Sequence, residues 1–476
     1  MIWKSSLQNK NIWMHDFSRT LRGNAGFFIA GTAVLLLFIP FLTAAMPGDS
    51  VFNIVTTHEQ MKFRLIHPDY IRIVYAVVVC YAFILGVFSF RFLLDKKQTT
   101  LYFSIGLTRT KLFASRFLAG LIGVVIAVWI PMMVSLAVNR IALGGYPGMI
   151  RCTVYVMAGL MIQGVLVYAL TVLACILSGT LAEAMIHGLL FLTGFSALVF
   201  SAGRILLSMV WGNSFGEIPY DGSEKMVSGL FEGALSWNPL TFFYTEACRY
   251  SMFYRGLQDA SVPVISILLL LVWIVITIAV IIVALLAFNG RKAEQAQMTG
   301  GCMALTAVVI LAGGFCLFSI ILPFFYESGI IIGLVAGVLA LCLYGSIWYV
   351  VYLRKNGFKW YRSVVATAVV SVVACFVVSG LASADRNRIP EANDVAEAQI
   401  SYVGNPSYIY KEAKGNRSGD SYYLMSDYSF TDREDIESIL QIHHALQHNG
   451  REAIGNREVY ADFIYRHQWK RKNLVL

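Results

Sequence analysis

Long apolar runs alternate with short polar connections along most of the chain. The runs lie at about 26–46, 71–93, 117–138, 152–178, 184–210, 262–288, 302–325, 329–353 and 363–383. Each run is long enough to cross the roughly 30 Å of hydrocarbon in a bilayer at about 1.5 Å per helical residue. The pattern therefore predicts nine transmembrane helices, preceded by a polar N-terminal arm over residues 1–25.

A different pattern begins after the last run. The segments DVAEAQISYV and EVYADFIYR alternate apolar and polar residues as half-buried strands do. In the second segment one face carries Val459, Ala461, Phe463 and Tyr465. Between the two strands, TDREDIESILQIHHALQHNG predicts a helix that starts at a capping box of Thr431 and Glu434. Its apolar face carries Ile436, Ile439, Leu440 and His443. Residues 384–476 are expected to form a small α+β domain.

Composition supports the membrane interpretation. Hydrophobic residues make up 57% of the chain and charged residues 14%, and the mean hydropathy is +0.65. An ordinary soluble domain has about 25% charged residues. The first apolar run is too long for the core of a signal peptide, so we expect it to be a retained span.

Lysine and arginine in the connections predict the orientation of the spans. With the N-terminus inside, the inner segments carry 16 of these bases and the outer segments carry 8. Because short cytoplasmic loops are enriched in Lys and Arg, this bias favours a cytoplasmic N-terminus. An odd number of spans then puts residues 384–476 on the outer, extracytoplasmic face.

Motifs for catalysis or for cofactor binding are missing from the sequence. It contains no GxxxxGK(S/T) phosphate loop, no HExxH and no GxSxG. His443 and His444 point about 100° apart on a helix, which does not suit a metal. The eight cysteines form no CxxC pair. We therefore predict no catalytic, cofactor or metal site, and we expect neither an enzyme nor a nucleic-acid partner.

Ionisable residues within the runs are scarce. Arg204 lies near the outer end of the fifth run, where it can snorkel to the interface, line a pore or pair structurally. Glu183 and His187 flank the inner turn before that run and are interpreted as a solvated turn. A proton- or sodium-coupled carrier needs carboxylates near the middle of the membrane, and the runs provide none. The pattern argues for an energy source outside this chain.

The outer segment 211–261 is rich in aromatic residues. Aromatic side chains settle at the membrane interface, so this segment either lies flat on the outer leaflet or dips into it as a short re-entrant element. Simple anchoring is one interpretation, and contact with an amphipathic substrate is the other. The candidate contact residues are Trp237, Phe242, Phe243 and Tyr244, together with Arg204.

Residues 95–116, DKKQTTLYFSIGLTRTKLFASR, form a polar stretch between the second and third runs. Leu101, Phe103 and Ile105 belong to a short helix that Gly106 ends, and Thr108 or Thr110 begins the next helix. A short basic and apolar helix on a membrane face either binds anionic lipid or docks into a groove on a partner protein. From the residues alone both interpretations stay open.

The order of these motifs resembles a known family. KKQTTLYFSIGLTRTKLFASRFLAG is similar to the connection between spans two and three of ABC-2 type permeases from Gram-positive bacteria. The family's core pattern, hysLPitR, corresponds here to Tyr102 through Arg109, with Gly106-Leu107 in place of its Leu-Pro. NGRKAEQAQ and VYLRKNGFKWYR resemble two later basic connections. DRNRIPEANDVAEAQISY and SDYSFTDREDIESILQIHHALQHN resemble the extracytoplasmic C-terminal domain of one subgroup, which continues further than this chain, so a truncated domain is expected.

The resemblance implies a function in the bacterial plasma membrane. Residues 26–288 would form a six-span permease core and residues 289–383 three additional spans. Residues 95–116 would contact a separate cytosolic ATPase, and spans one, two and five would line the pathway. The predicted coupling residues are Lys97, Phe103, Arg109, Lys111 and Phe113. A second permease copy or a paralogue would complete an exporter of an amphipathic peptide, lipid or drug.

A second hypothesis comes from another class of protein. The chain would then be a non-transporting membrane sensor or scaffold, whose outer domain detects a cell-envelope ligand or an antibiotic. This hypothesis requires the tail and tolerates a disrupted segment 95–116.

Overall fold

The computed structural model describes most of the apolar runs and part of the tail. The described residues are 2–45, 68–104, 107–143, 149–211, 233–245, 264–298, 302–326, 330–348, 365–373, 376–377, 395–404, 426–430, 432–441 and 459–467. The chain divides into two compact units, one built on residues 1–201, 231–318 and 335–371 and the other on residues 202–230, 319–334 and 372–476.

Helices make up most of the described residues. They are α1 (Ile2–Ala45), α2 (Pro68–Phe90), α3 (Lys96–Ser104), α4 (Arg109–Leu143), α5 (Met149–Leu177), α6 (Leu181–Trp211), α7 (Val264–Gly290), α8 (Met303–Tyr326) and α9 (Ile330–Trp348). A 3-10 helix, Arg91–Leu94, connects α2 to α3. The ends of the long helices agree closely with the predicted runs, apart from the N-terminal extension of α1 and the extensions at both ends of α4. The predicted polar arm is part of α1, which begins at Ile2.

Among the described residues, seven helices are long and apolar enough to cross a membrane: α1, α2, α4, α5, α6, α7 and α8. The membrane part is therefore all-α and polytopic. Helix α9 contains a shorter apolar stretch, Val335–Ser346, and the last predicted run is helical where it is described, at 365–373 and 376–377. The total of nine spans remains a prediction.

Helix α5 lies at the centre of the bundle. Of its apolar window 78% is buried, compared with 22% for the corresponding window of α7. Small residues allow this packing. Inside a bilayer the hydrophobic effect does not drive helices together, so helix association depends on van der Waals contact between closely spaced backbones. Gly86 of α2 packs on Thr171, and Gly120 of α4 packs on Tyr168, so neither glycine has room for a side chain.

The described tail contains a three-stranded antiparallel sheet. Its strands are β1 (Val395–Gly404), β2 (Ser426–Phe430) and β3 (Val459–His467), in the order β2-β1-β3. Ile400 of the central strand pairs with Tyr428 on one side and Phe463 on the other. The helix at residues 433–441 buries Ile436, Ile439 and Leu440 as predicted. Strand β2 was not predicted, and Thr431, His443 and His444 lie outside the described residues.

Candidate functional site

Several helix ends of the first unit meet on one side of the bundle, which we call the N-terminal face. Contacts bring together Asp16 of α1, Leu93 before α3, Arg109 at the start of α4, Ile176 at the end of α5 and Arg291 after α7. The predicted coupling stretch 95–116 is part of this face. Its middle residues, 105–106, include Gly106 and lie outside the described residues.

Helix α3 is held at its start by Asp95 and Thr99. The Asp95 carboxylate accepts a hydrogen bond from the backbone N–H of Lys97 at 3.0 Å, as an N-cap does. The Thr99 hydroxyl is buried and lies 2.8 Å from the carbonyl oxygens of both Phe92 and Asp95. The beginning of α3 is thereby tied to the preceding 3-10 helix, and it ends at Ser104.

One face of α3 packs on the bundle. The ring of Tyr102 lies 5.0 Å from that of Phe92, and the Arg116 guanidinium lies 4.4 Å from the centre of the Tyr102 ring. Phe103 meets Phe288 edge-on at 6.1 Å. A displacement of α3 therefore acts directly on α4 and α7.

The other face of α3 is exposed and borders an open groove of about 660 Å³. The lining residues are Asp95, Lys96, Lys97, Thr100, Leu101, Ser104 and Gln297. Leu101 is 61% exposed. It is the exposed apolar residue of the groove lining, and Lys96 and Lys97 belong to the same lining.

The five predicted coupling residues differ in their accessibility. Lys97 and Lys111 are exposed. Phe103 and Arg109 are half-buried and pack on each other, with the Arg109 guanidinium 4.9 Å from the ring centre. Phe113 is only 4% exposed and packs on Phe90 and Phe288, so its side chain does not reach a partner protein. Sequence spacing did not distinguish the exposed members of this set from the buried one, and it did not single out Leu101 as exposed.

The N-terminal part of α1 packs along α4. The Asp16 carboxylate accepts hydrogen bonds from the Ser115 hydroxyl at 2.6 Å and from Arg116 at 3.0 Å. Trp13 donates its indole N–H to the carbonyl oxygen of Lys111 at 3.1 Å. These contacts explain why the polar arm is a helix rather than a free segment.

Comparisons with protein-family models, with curated proteins and with solved structures find no match for this chain.

The turn before α6 corrects one prediction. Glu183 and His187 are 1% and 2% exposed, so the interpretation as a solvated turn is wrong. The Glu183 carboxylate accepts hydrogen bonds from the backbone N–H groups of Gly179 and Thr180 at 2.7 and 3.2 Å. Glu183 in turn donates its N–H to the Thr180 hydroxyl, which completes a capping box. His187 Nδ1 lies 2.8 Å from the Ser178 hydroxyl.

The aromatic outer segment is described at residues 233–245, which fold as a short helical hairpin inserted into the bundle. Gln163, near the middle of α5, donates its amide to the carbonyl oxygens of Pro239 and Leu240 at 2.6 and 3.3 Å. Asn238 also donates to the Ser196 hydroxyl of α6. The hairpin therefore packs against the middle of α5 and α6, while its position in a membrane remains a prediction.

Burial decides which aromatic residues of the hairpin are available for contact. Phe242 and Phe243 are fully buried, and Phe242 stacks on Trp273 at 4.3 Å. Trp237 is 54% exposed, whereas Tyr244 is half-buried beside Tyr75. The two phenylalanines are thus packing residues, and Trp237 is the one of the four whose side chain is exposed.

The remaining candidates are Arg204, possible metal ligands and the buried carboxylates. Arg204 is half-buried in α6, and its Nε atom has no hydrogen-bond partner. No group of three potential metal ligands occurs among the described residues. Asp16 and Glu183 are the buried carboxylates of the described helices, and both lie at the N-terminal face rather than near mid-membrane.

Proposed function

We propose that this chain is the membrane-spanning permease subunit of an ATP-driven, ABC-2 type exporter. A separate cytosolic ATPase docks on α3 and supplies the energy that the chain's own motifs do not provide. The observation that carries the proposal is the two-sided character of α3: an exposed face with Lys97 and Leu101 borders a groove, and an opposite face packs on α4 and α7.

The packing of α3 supports a coupling role over a lipid-binding role. A helix that only anchors the chain to lipid headgroups needs an apolar face directed at the acyl chains. Here the aromatic residues Tyr102 and Phe103 pack inward, and Leu101 is the exposed apolar residue beside two lysines. This arrangement suits a partner surface with an apolar pocket and an acidic rim.

The proposal includes further features of the exporter. The N-terminal face is cytosolic, and the chain works as a pair with a second copy or a paralogue in a bacterial plasma membrane. The cargo is an amphipathic peptide, lipid or drug. The β1–β3 sheet and the helix at residues 433–441 form an α+β domain on the extracytoplasmic face.

Co-purification with a cytosolic ATP-binding-cassette ATPase tests the proposal. Leu101→Asp should weaken the association about tenfold or more, since a carboxylate replaces an apolar contact at the centre of the docking surface. Met14→Asp is the matched control, because it puts the same charge in place of another exposed apolar side chain, outside the groove and outside residues 95–116. Equal association of the two variants would contradict docking on α3. Phe103 and Arg109 are less suitable targets, since their replacement also disturbs internal packing.

A membrane sensor or scaffold is the second candidate, and the sheet and helix of the tail favour it. Deleting residues 384–476 distinguishes the two. A sensor should lose its response to cell-envelope antibiotics, whereas Leu101→Asp should leave that response intact. Growth assays at graded antibiotic concentrations measure the resistance. Unchanged resistance after the deletion would exclude the sensor hypothesis.

A further inference from the structure

The guanidinium of Arg291 joins three segments of the N-terminal face. It donates to the carbonyl oxygens of Cys175 at 2.8 Å and of Ile176, both at the C-terminal end of α5. Its other terminal nitrogen donates to the Leu93 carbonyl oxygen at 2.8 Å, directly before α3. The residue is only 3% exposed.

Arg109 extends this arrangement to the start of α4. Its guanidinium donates to the carbonyl oxygens of Asn289 at 2.7 Å and of Arg291 at 2.5 Å. The backbone of Arg291 therefore receives a hydrogen bond from α4 while its side chain donates to α5. The two arginines form a continuous chain of contacts from the 91–109 segment to the C-terminal ends of α5 and α7.

Physical reasons favour arginine at both positions. The last carbonyl groups of a helix lack partners within the helix, and next to lipid they must find them elsewhere. A cation is also favourable at a helix C-terminus, and the planar guanidinium fork can serve two segments at once. Burial lowers the pKa of Arg291 to about 10, so the side chain remains charged at neutral pH.

We infer that Arg291 is a positioning residue that transmits movement of α3 to the C-terminal ends of α5 and α7. The inference deepens the proposed function and depends on it for the source of the movement. A lysine at position 291 would keep the charge but would not hold Leu93 and the end of α5 simultaneously.

Reactivity of Cys175 tests the arginine chain without any partner protein. In a full-length variant with Cys175 as its only cysteine, Arg291→Lys should raise the rate of maleimide labelling about tenfold, the equivalent of one charge-assisted hydrogen bond. Arg109→Lys should raise it less, and the double variant should label no faster than Arg291→Lys alone. If the increases in labelling rate from the two single variants multiply in the double variant, the two arginines act independently and the inference is overturned. Arg19→Lys, at an exposed arginine of α1, is the control and should leave the rate unchanged.

The complex with the co-purified ATPase separates this inference from the proposed function. Arg291→Lys should keep the ATPase bound but reduce the stimulated kcat about tenfold, with KM for ATP unchanged. Normal stimulation by Arg291→Lys would overturn the inference and leave the proposed function standing. Failure of the wild-type chain to bind the ATPase would overturn both. Should Arg291→Lys not fold by size-exclusion chromatography, Arg109→Lys serves in both assays, with the same direction of change and a smaller effect expected.

Discussion

Replacing Asp16 with alanine is expected to lower the free energy of unfolding by about 3–5 kcal/mol, the usual cost of leaving one charge of a buried ion pair without its partner. The Asp16 carboxylate lies 3.0 Å from Arg116, and the two side chains are 9% and 11% exposed. The Ser115 hydroxyl would also lose one of its two acceptors and keep the Leu112 carbonyl oxygen. The thermal unfolding midpoint of the purified full-length chain measures the effect.

The consequence of this substitution should extend to α3. Arg116 stacks on Tyr102 of α3 and on Phe92 before it, and Asp16 holds the guanidinium in that position. Asp16→Ala should therefore also raise the protease sensitivity of the 91–109 segment.

A double replacement provides the control for the ion pair. Asp16→Leu combined with Arg116→Met removes both charges while keeping apolar volume, so much of the lost stability should return. If Asp16→Ala costs less than about 1 kcal/mol, the pair behaves like a surface salt bridge and does not fasten α1 to α4.

Replacing Gly179 with alanine should also cost about 3 kcal/mol or more, because the added methyl group collides with backbone rather than with a movable side chain. A Cβ atom at this position would overlap the carbonyl oxygens of Met298 and Gln295. The collision would break the hydrogen bond from the Gln297 N–H to the Gly179 carbonyl oxygen, now 2.8 Å long. Gln297 lines the groove beside α3, so docking should weaken as well.

Gly290 is the matched control for this prediction. It lies at the end of α7 on the same face, and nothing lies within 4 Å of an added Cβ atom. Gly290→Ala should leave stability unchanged or slightly increased, since alanine loses less backbone entropy on folding. Equal unfolding midpoints for the two alanine variants would show that the loop 291–298 does not pack tightly on the turn at 178–180.

Hydropathy predicted most of the described membrane helices, because each must satisfy its backbone hydrogen bonds internally and present apolar side chains to lipid. Predicted run 152–178 became Met149–Leu177, and run 262–288 became Val264–Gly290. Alternation likewise predicted β1 and β3, which pair as neighbours in the sheet. Strand β2 is five residues long, too short for its alternation to stand out.

The burial of some polar residues was not predicted from the sequence. Glu183 and His187 were assigned to water because charged residues beside a turn are usually solvated, yet both are buried. The spacing Thr180-Leu-Ala-Glu183 is a capping box, and that signal was present in the sequence. Gln163 offered a weaker signal as an amide in the middle of an apolar run.

The sequence by itself determined that this chain crosses a membrane several times and where most of its helices begin and end, since length and hydropathy are local properties. It also singled out residues 95–116 as the unusual polar connection. Only the tertiary structure decided which of those residues face outward: Leu101 and Lys97 are exposed, whereas Phe113 is in the core and Arg109 caps α7. The reason is that Arg109 and Arg291 lie 182 positions apart in the chain, and hydrogen bonds between distant helix ends leave no periodic trace in the sequence.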